Sequence, residues 1–212
     1  MTDRINPYRL AAATVLAAGL RRSTTALFAE SSSAMFFSTN ALAALTGERH
    51  PYARASMHYG SMGHAIAGAI GFCAATRQRA IVFTGDGSLH LMNPLPTALK
   101  HRLQLAIVVL NDARLSLPFR GSGSIGAKGA QSTTSLPAWD FTQVGNADVG
   151  RRRITRNAEV EAGLDEALAF NGCFVLDALT DPAVAPPIRS RLQSVNTMLG
   201  GGSGRRSATA PA

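Results

Sequence analysis

The chain has 212 residues, 46% of them hydrophobic and 16% charged, and carries a formal net charge of +8. That length suits one ordinary domain with a real core. The apolar balance excludes a disordered chain, and two cysteines, Cys73 and Cys173, exclude a disulfide scaffold. All but two of the 21 basic residues are arginine, Lys100 and Lys128 being the exceptions. They are scattered apart from Arg151, Arg152, Arg153 and Arg156, and no basic helix, zinc-finger spacing or aromatic-plus-basic RNA motif accompanies them. No nucleic-acid partner is therefore expected.

Residues 8–22 predict a helix, with Leu10, Val15, Leu16 and Leu20 on one face. The apolar run from Leu10 to Leu20 is too short to span a bilayer and has no clear small-x-small cleavage site after it. A cytoplasmic protein without a membrane partner is expected. Residues 25–29 (TALFA) read as a strand running into the polar turn Glu30-Ser31-Ser32-Ser33, and 41–45 as a short helical piece. Residues 60–76 begin as a Gly-rich turn and continue as a helix, in which Gly63, Ala67, Gly71 and Ala75 recur at every fourth position and predict close backbone packing. Residues 80–84 (AIVFT) are a buried strand ending in Gly85-Asp86-Gly87-Ser88. A helix over 94–102 precedes the strand 105–110 (LAIVVL), which ends in Asn111-Asp112. The Gly, Ser and Thr content of 116–137 predicts a mobile loop, either a plain one or a lid. A helix over 158–170 and a strand over 173–179 follow. Residues 1–199 are expected to form one domain, with 200–212 a disordered tail.

Strands that are continuously apolar are covered on both faces. Alternating with helices, they predict an α/β fold, a parallel sheet with helices on both faces. Ligands in such folds sit at the carboxyl ends of strands. The polar punctuation falls there: residues 30–33, 85–88, and 111–112.

Gly85-Asp86-Gly87-Ser88 sets a carboxylate between glycines directly after a strand. Glycine admits a phosphate close to the backbone, and the carboxylate can hold a divalent cation that bridges to it. Asn111 and Asp112, 25 and 26 residues past Asp86 and after the next strand, can supply further oxygen ligands. A bare Gly-Asp-Gly is common; the two-strand pattern is specific.

This pattern resembles the diphosphate-binding domain of the thiamine-diphosphate-dependent enzymes of the pyruvate decarboxylase and acetolactate synthase type. Their signature is Gly-Asp-Gly followed, one helix and one strand later, by Asn-Asn or Asn-Asp. The resemblance covers about residues 8–190 and implies thiamine diphosphate and Mg²⁺ as cofactors. It implies metal ligation by Asp86, Asp112 and the backbone carbonyl of Arg114. It implies cofactor contacts from Ser31, Ser32 and Ser33, from Gly60, Ser61, Met62 and Gly63, from Gly85, Gly87 and Ser88, and from Asn111. Met62 matches the bulky residue that props the cofactor into its bent shape; core packing is its plainer reading. His64 is the one catalytic candidate, although a histidine at a helix start also bonds to backbone. Ser31 and Ser33 are equally ordinary turn formers. Arg114 and Arg120 can meet a carboxylate or simply be solvated, and Trp139 reads as packing.

Two departures stand out. Ser32 occupies a position usually held by Gly, and Ala113-Arg114-Leu115-Ser116 replaces a Gly-rich stretch. The family's pyrimidine-binding domain, whose Glu activates the cofactor, has no counterpart, and Glu30 and Glu48 lie in no matching context. The chain therefore resembles the beta subunit of split enzymes such as sulfopyruvate or phosphonopyruvate decarboxylase. The function implied is one subunit of an enzyme that decarboxylates a small 2-oxo acid and protonates or ligates the resulting enamine. The partner implied is a pyrimidine-domain subunit, in a hetero-oligomer of two chains of each kind. A regulatory or scaffolding homologue without catalysis is the alternative. A nucleotide site in another fold is a third reading, against which stands the lack of a phosphate loop with a Lys.

Overall fold

The computed structural model describes residues 3–21, 24–45, 52–55, 59–91, 95–124 and 129–188. Helix α1 (Pro7–Leu20) starts at Asn6, whose side chain accepts from the Tyr8 amide at 2.9 Å, with Pro7 in the first turn where a missing amide costs nothing. Strand β1 (Thr25–Ala29) leads into α2 (Ser33–Leu45), which begins eight residues before the short piece expected from the sequence. Then come β2 (Tyr52–Ala55), α3 (His64–Thr76), β3 (Arg79–Gly85), α4 (Asp86–Leu91), α5 (Leu95–Lys100) and β4 (Leu105–Asn111). The expected loop over 116–137 instead carries two helices, α6 (Ser116–Ser124) and α7 (Ala130–Thr134). Strand β5 (Gly150–Ile154), helix α8 (Val160–Ala169) and strand β6 (Cys173–Leu179) complete the fold. The segment 200–212 lies outside the described residues.

The six strands form one parallel sheet in the order β2-β1-β3-β4-β6-β5. Alternate residues of each central strand feed two cores, because side chains in a strand point to opposite faces. Leu27, Ile81, Phe83, Val108 and Leu176 pack with α1, α2 and α8 on one face. Phe28, Val82, Ile107 and Val175 pack with α3 and α5 on the other. This is the fold class the sequence predicts.

The small residues of α3 behave differently from the expectation. Ala65, Ile66, Ala69 and Cys73 are buried against the sheet, while Ala67, Gly71 and Ala75 face outward. A methyl group added at Gly71 would meet nothing within 4 Å. The arginine cluster lies on and beside the edge strand β5, with each member engaged internally. Arg151 donates to the carbonyls of Thr142, Asn146 and Val149. Arg152 pairs with Glu166 at 2.7 Å, Arg153 with Asp177 at 2.9 Å, and Arg156 with Glu159 at 3.1 Å. Among the described residues, no helix is long and apolar enough to cross a membrane.

Candidate functional site

The chain runs outward from β1 to β2 on one side and then returns to β3 on the other side of β1. The connections leaving β1 and β3 therefore diverge, and a crevice opens between their carboxyl ends. The 31–33 turn lines one wall. It is built locally: Ser32 N donates to the Glu30 carbonyl at 2.7 Å, and Ser32 Oγ accepts from Ala34 N at 3.1 Å, which starts α2. The turn lies so close to β3 that a Cβ on Gly85 would stand 3.4 Å from Ser32 Oγ. The Ser33 and Ser88 hydroxyls are buried and have no hydrogen-bond partner.

The opposite wall is acidic. Asp86 opens α4 and is only 2% exposed. Its carboxylate accepts from its neighbour Gly87 N at 2.7 Å and, across the strand gap, from Arg114 N at 3.3 Å. Burial, and then the nearby Asp112 carboxylate, push its pKa up to about 7. Burial raises Asp112 as well, against the hydrogen bond it accepts from Ser116 Oγ. Two carboxylates therefore share one end of the crevice. The turn that follows them is held tightly. Ala113 sits at φ +55°, a left-handed conformation that an L side chain rarely adopts. Leu115 N donates to Thr134 O and Leu136 N to Ala113 O, both at 2.8 Å, so the segment after α7 fastens down the turn.

The third wall is the 60–64 turn. Gly60 and Gly63 have φ of +63° and +90°, and Gly63 ends the turn at the start of α3. A Cβ on Gly87 would lie 3.8 Å from Met62 Sδ and 2.6 Å from Leu115 Cδ2. Gly87 thus lies between Met62 and the tip of Leu115, which a side chain at residue 87 would have to displace. Met62 itself is 40% exposed, so it is no core residue.

Together these walls enclose a cavity of about 300 Å³. Its lining includes Ser31, Ser32, Ser33, Gly60, Met62, Gly85, Asp86, Gly87, Ser88, Asp112 and Arg114. It also includes residues the sequence did not single out for a site, notably Leu110, Leu115, Leu117, Pro118 and Val184. Those are apolar, and only the fold shows that they converge.

Four candidates do not line the cavity. Ser61 and His64 are exposed, and Gly63 turns the chain without reaching the lining. Asn111 is buried with its amide donating to Trp139 O at 2.9 Å and Asp177 Oδ1 at 2.8 Å. Asp112, just past the end of β4, lines the cavity, and Asn111 does not. Arg120 lies outside the lining; one guanidinium nitrogen donates to the carbonyls of Pro182 and Val184 at 2.9 and 3.0 Å and ties α6 to the chain after β6, while its buried Nε has no hydrogen-bond partner and its charge acts on Asp112. Trp139 is half-exposed and packs edge-on against His90. Chemically, a buried and a half-buried acid lining one cavity with unpartnered hydroxyls suit an oxygen-seeking divalent cation together with an anion that it bridges.

A family model described as thiamine pyrophosphate enzyme, C-terminal TPP binding domain, matches residues 34–178. A Mycobacterium tuberculosis protein assigned by name as an acetolactate synthase large subunit is 30% identical over 138 residues, which is 63% of this chain and 24% of that protein. The acetolactate synthase isozyme 2 large subunit of Escherichia coli is 30% identical over 125 residues, 58% of this chain and 23% of that protein. The chain matches about a quarter of the length of these curated relatives.

Proposed function

The chain belongs to the thiamine pyrophosphate enzymes through their C-terminal TPP binding domain, and on that premise we propose that it is the Mg²⁺- and diphosphate-holding part of an enzyme acting on a small 2-oxo acid. The observation that carries this reading is the Asp86–Asp112 pair, one buried and one half-buried at adjacent strand ends, lining one cavity with the orphaned hydroxyls of Ser33 and Ser88. These residues fit the group. Burying two carboxylates is costly unless a cation joins them, and the buried hydroxyls lack partners that a diphosphate would supply.

In this reading Asp86, Asp112 and the Arg114 carbonyl hold Mg²⁺. The serines of the 31–33 turn, with Gly87 and Ser88, hold the diphosphate. Thiamine diphosphate, when bound, supplies the electron sink that lets a bond next to a 2-oxo group break or form. Met62 leans over Gly87 and fixes how deep the cofactor sits. Leu115, Leu117 and Pro118 keep that end of the cavity apolar and exclude water. His64, exposed at the start of α3, is available to a substrate entering from the open side.

Of the carboxylates that line the cavity among the described residues, Asp86 and Asp112 are committed to the metal and Asp181 accepts from Ala183 N at 2.9 Å in the turn after β6, while Glu30 is fully buried outside the lining. The activating acid is assigned to a pyrimidine-binding domain on a partner chain, in an assembly with two chains of each kind. Decarboxylation of the 2-oxo acid, followed by protonation or by ligation to a second acceptor, is the reaction class. The acetolactate synthase names of the relatives favour the ligation branch.

The test is titration of the chain with thiamine diphosphate, followed by calorimetry, with Mg²⁺ and with EDTA. Micromolar binding that requires Mg²⁺ and disappears in Asp86→Ala supports the reading. Mg²⁺-independent binding, or none even with the pyrimidine-domain partner present, rejects it. Leu115 packed on Gly87 favours a second reading, in which the chain keeps the fold and the interface but scaffolds or regulates an active homologue. Failure to bind the cofactor within an intact assembly is the outcome that selects it.

A further inference from the structure

Helix α3 has no local cap. Its N-cap is Gly63, which has no side chain to accept from the first-turn amides, and an uncapped buried helix start is costly. The acceptor comes from elsewhere. Glu30, at the end of β1 and 0% exposed, accepts from Ser31 N at 3.1 Å and from Ala65 N at 3.5 Å through the same oxygen, Oε1. Its other oxygen, Oε2, is buried without a partner. One carboxyl thus touches both the turn that leads to Ser31–Ser33 and the helix start that follows Met62.

We propose that Glu30 is a positioning residue of the cofactor cavity: by capping α3 from β1 it fixes the Gly60–Met62–Gly63 turn against the 31–33 turn. The inference rests on the cofactor reading above only for what the cavity holds; the cap itself is independent of it. The two turns are not equally dependent on Glu30. The 31–33 turn keeps its own bonds, Ser32 N to the Glu30 backbone carbonyl and Ala34 N to Ser32 Oγ. The α3 start, capped by a glycine, has the Glu30 side chain as its remote acceptor. Loss of the carboxyl should therefore loosen the Met62 side of the cavity more than the serine side. Both bonds go to one oxygen, Oε1, so the glutamine amide, which keeps an oxygen of the same reach, is a close replacement.

The experiment compares Glu30→Gln and Glu30→Ala in the full chain. Hydrogen exchange is followed over residues 63–66, and affinities are measured for Mg²⁺–thiamine diphosphate and for Mg²⁺–pyrophosphate, with the pyrimidine-domain partner added if the chain alone binds neither. In Glu30→Ala, amide protection over 63–66 should fall at least about tenfold while the strands stay protected. Affinity for thiamine diphosphate should fall about tenfold, and affinity for pyrophosphate, which does not reach Met62, less than about threefold. Glu30→Gln should keep both within about threefold of wild type. Unchanged exchange over 63–66 in Glu30→Ala overturns the proposal, as does an equal loss for both ligands. If wild type binds neither ligand, the cofactor reading falls, and exchange over 63–66 alone then decides whether Glu30 sets this turn. Should Glu30→Ala not fold, Glu30→Gln against Glu30→Leu is the same comparison.

Discussion

Asn111 donates its side-chain amide to the Asp177 carboxylate at 2.8 Å, and this bond divides the end of β4 into two jobs. Asn111 faces inward to a buried polar network, and Asp112, one residue on, borders the cavity. Asp177 is 0% exposed and accepts also from Phe141 N at 3.2 Å and Arg153 Nε at 2.9 Å. Arg153 and Asn111 both donate to Trp139 O, so β4, β5, β6 and the 139–141 segment meet at this one carboxylate.

Removing that carboxylate should be expensive. Asp177→Ala leaves the Asn111 amide, the Phe141 amide and the Arg153 guanidinium without their shared acceptor. Breaking a buried pair of this kind costs about 3 kcal/mol. Urea unfolding should show that loss, with Mg²⁺ affinity weakened as Asp112 loses its support. A loss below about 1 kcal/mol would mean that water replaces the carboxylate and that the network is not what holds β4.

The acid pair should make the ligand-free protein sensitive to alkali. Asp86 has a folded pKa of about 7 against an ordinary 3.8. The folded state therefore holds more protons than the unfolded one between those values, and stability falls as pH rises from about 4 through about 7. The loss should amount to about 2–4 kcal/mol. On the proposed metal reading a divalent cation binds the deprotonated pair, so Mg²⁺ should raise the melting temperature clearly at pH 8 and hardly at pH 5. Asp86→Asn should abolish the Mg²⁺ effect, reduce the pH effect to what the raised Asp112 contributes, and be more stable than wild type at pH 8 without metal. Equal Mg²⁺ stabilisation at both pH values would show that the cation binds elsewhere.

The central fold and most of the cavity were legible because β1, β3 and β4 are built on apolar runs that each end in a distinctive polar pair or turn, and β6 is apolar but for Asp177. The edge strands were not. Strand β2 reads Tyr-Ala-Arg-Ala and β5 reads Gly-Arg-Arg-Arg-Ile; on an edge, long polar side chains reach solvent or partners, and the apolar signal fades. Helices α6 and α7 were hidden by Gly and Ser content. Tertiary ties override that propensity: Arg120 clamps α6, and the 134–136 segment pairs with the turn after β4. The placement of Asn111 was not legible, because the partners that hold it, Trp139 O and the Asp177 carboxylate, come from distant segments of the chain. Glu30 and Asp177 carried a readable signal, an acid at the end of or inside an apolar strand, but the sequence does not show which amides they meet.

Gly87 separates fold from ligand. In Gly87→Ala the new methyl would meet Leu115 Cδ2 at 2.6 Å. Because that atom is the tip of a side chain, it can swing away, and the stability cost should be only about 1 kcal/mol. Leu115→Ala in the same chain should relieve the contact. On the proposed reading cofactor affinity should not recover, since the methyl would still crowd the Gly87 amide assigned to the diphosphate. Thermal melts and calorimetry on the single and double variants check this. Recovery of binding together with stability would mean that Leu115, not the diphosphate, sets the requirement for glycine.

Ala113 reports on the turn that carries the acid Asp112. Its φ of +55° costs an L residue roughly 1–2 kcal/mol relative to the right-handed region. Glycine removes that penalty but adds about 0.5–1 kcal/mol of unfolded-state entropy. Ala113→Gly should therefore stabilise the protein by at most about 1 kcal/mol. Ala113→Val, branched at Cβ, should destabilise it by more than that, because its side chain crowds the left-handed backbone. Metal binding should follow the same order, since Asp112 and the Arg114 carbonyl flank residue 113. Chemical denaturation with Mg²⁺ titration of the three chains is the check. If Val were tolerated as well as Ala, the turn would have to be right-handed in solution, and Asp112 and Arg114 could not face one cation in this geometry.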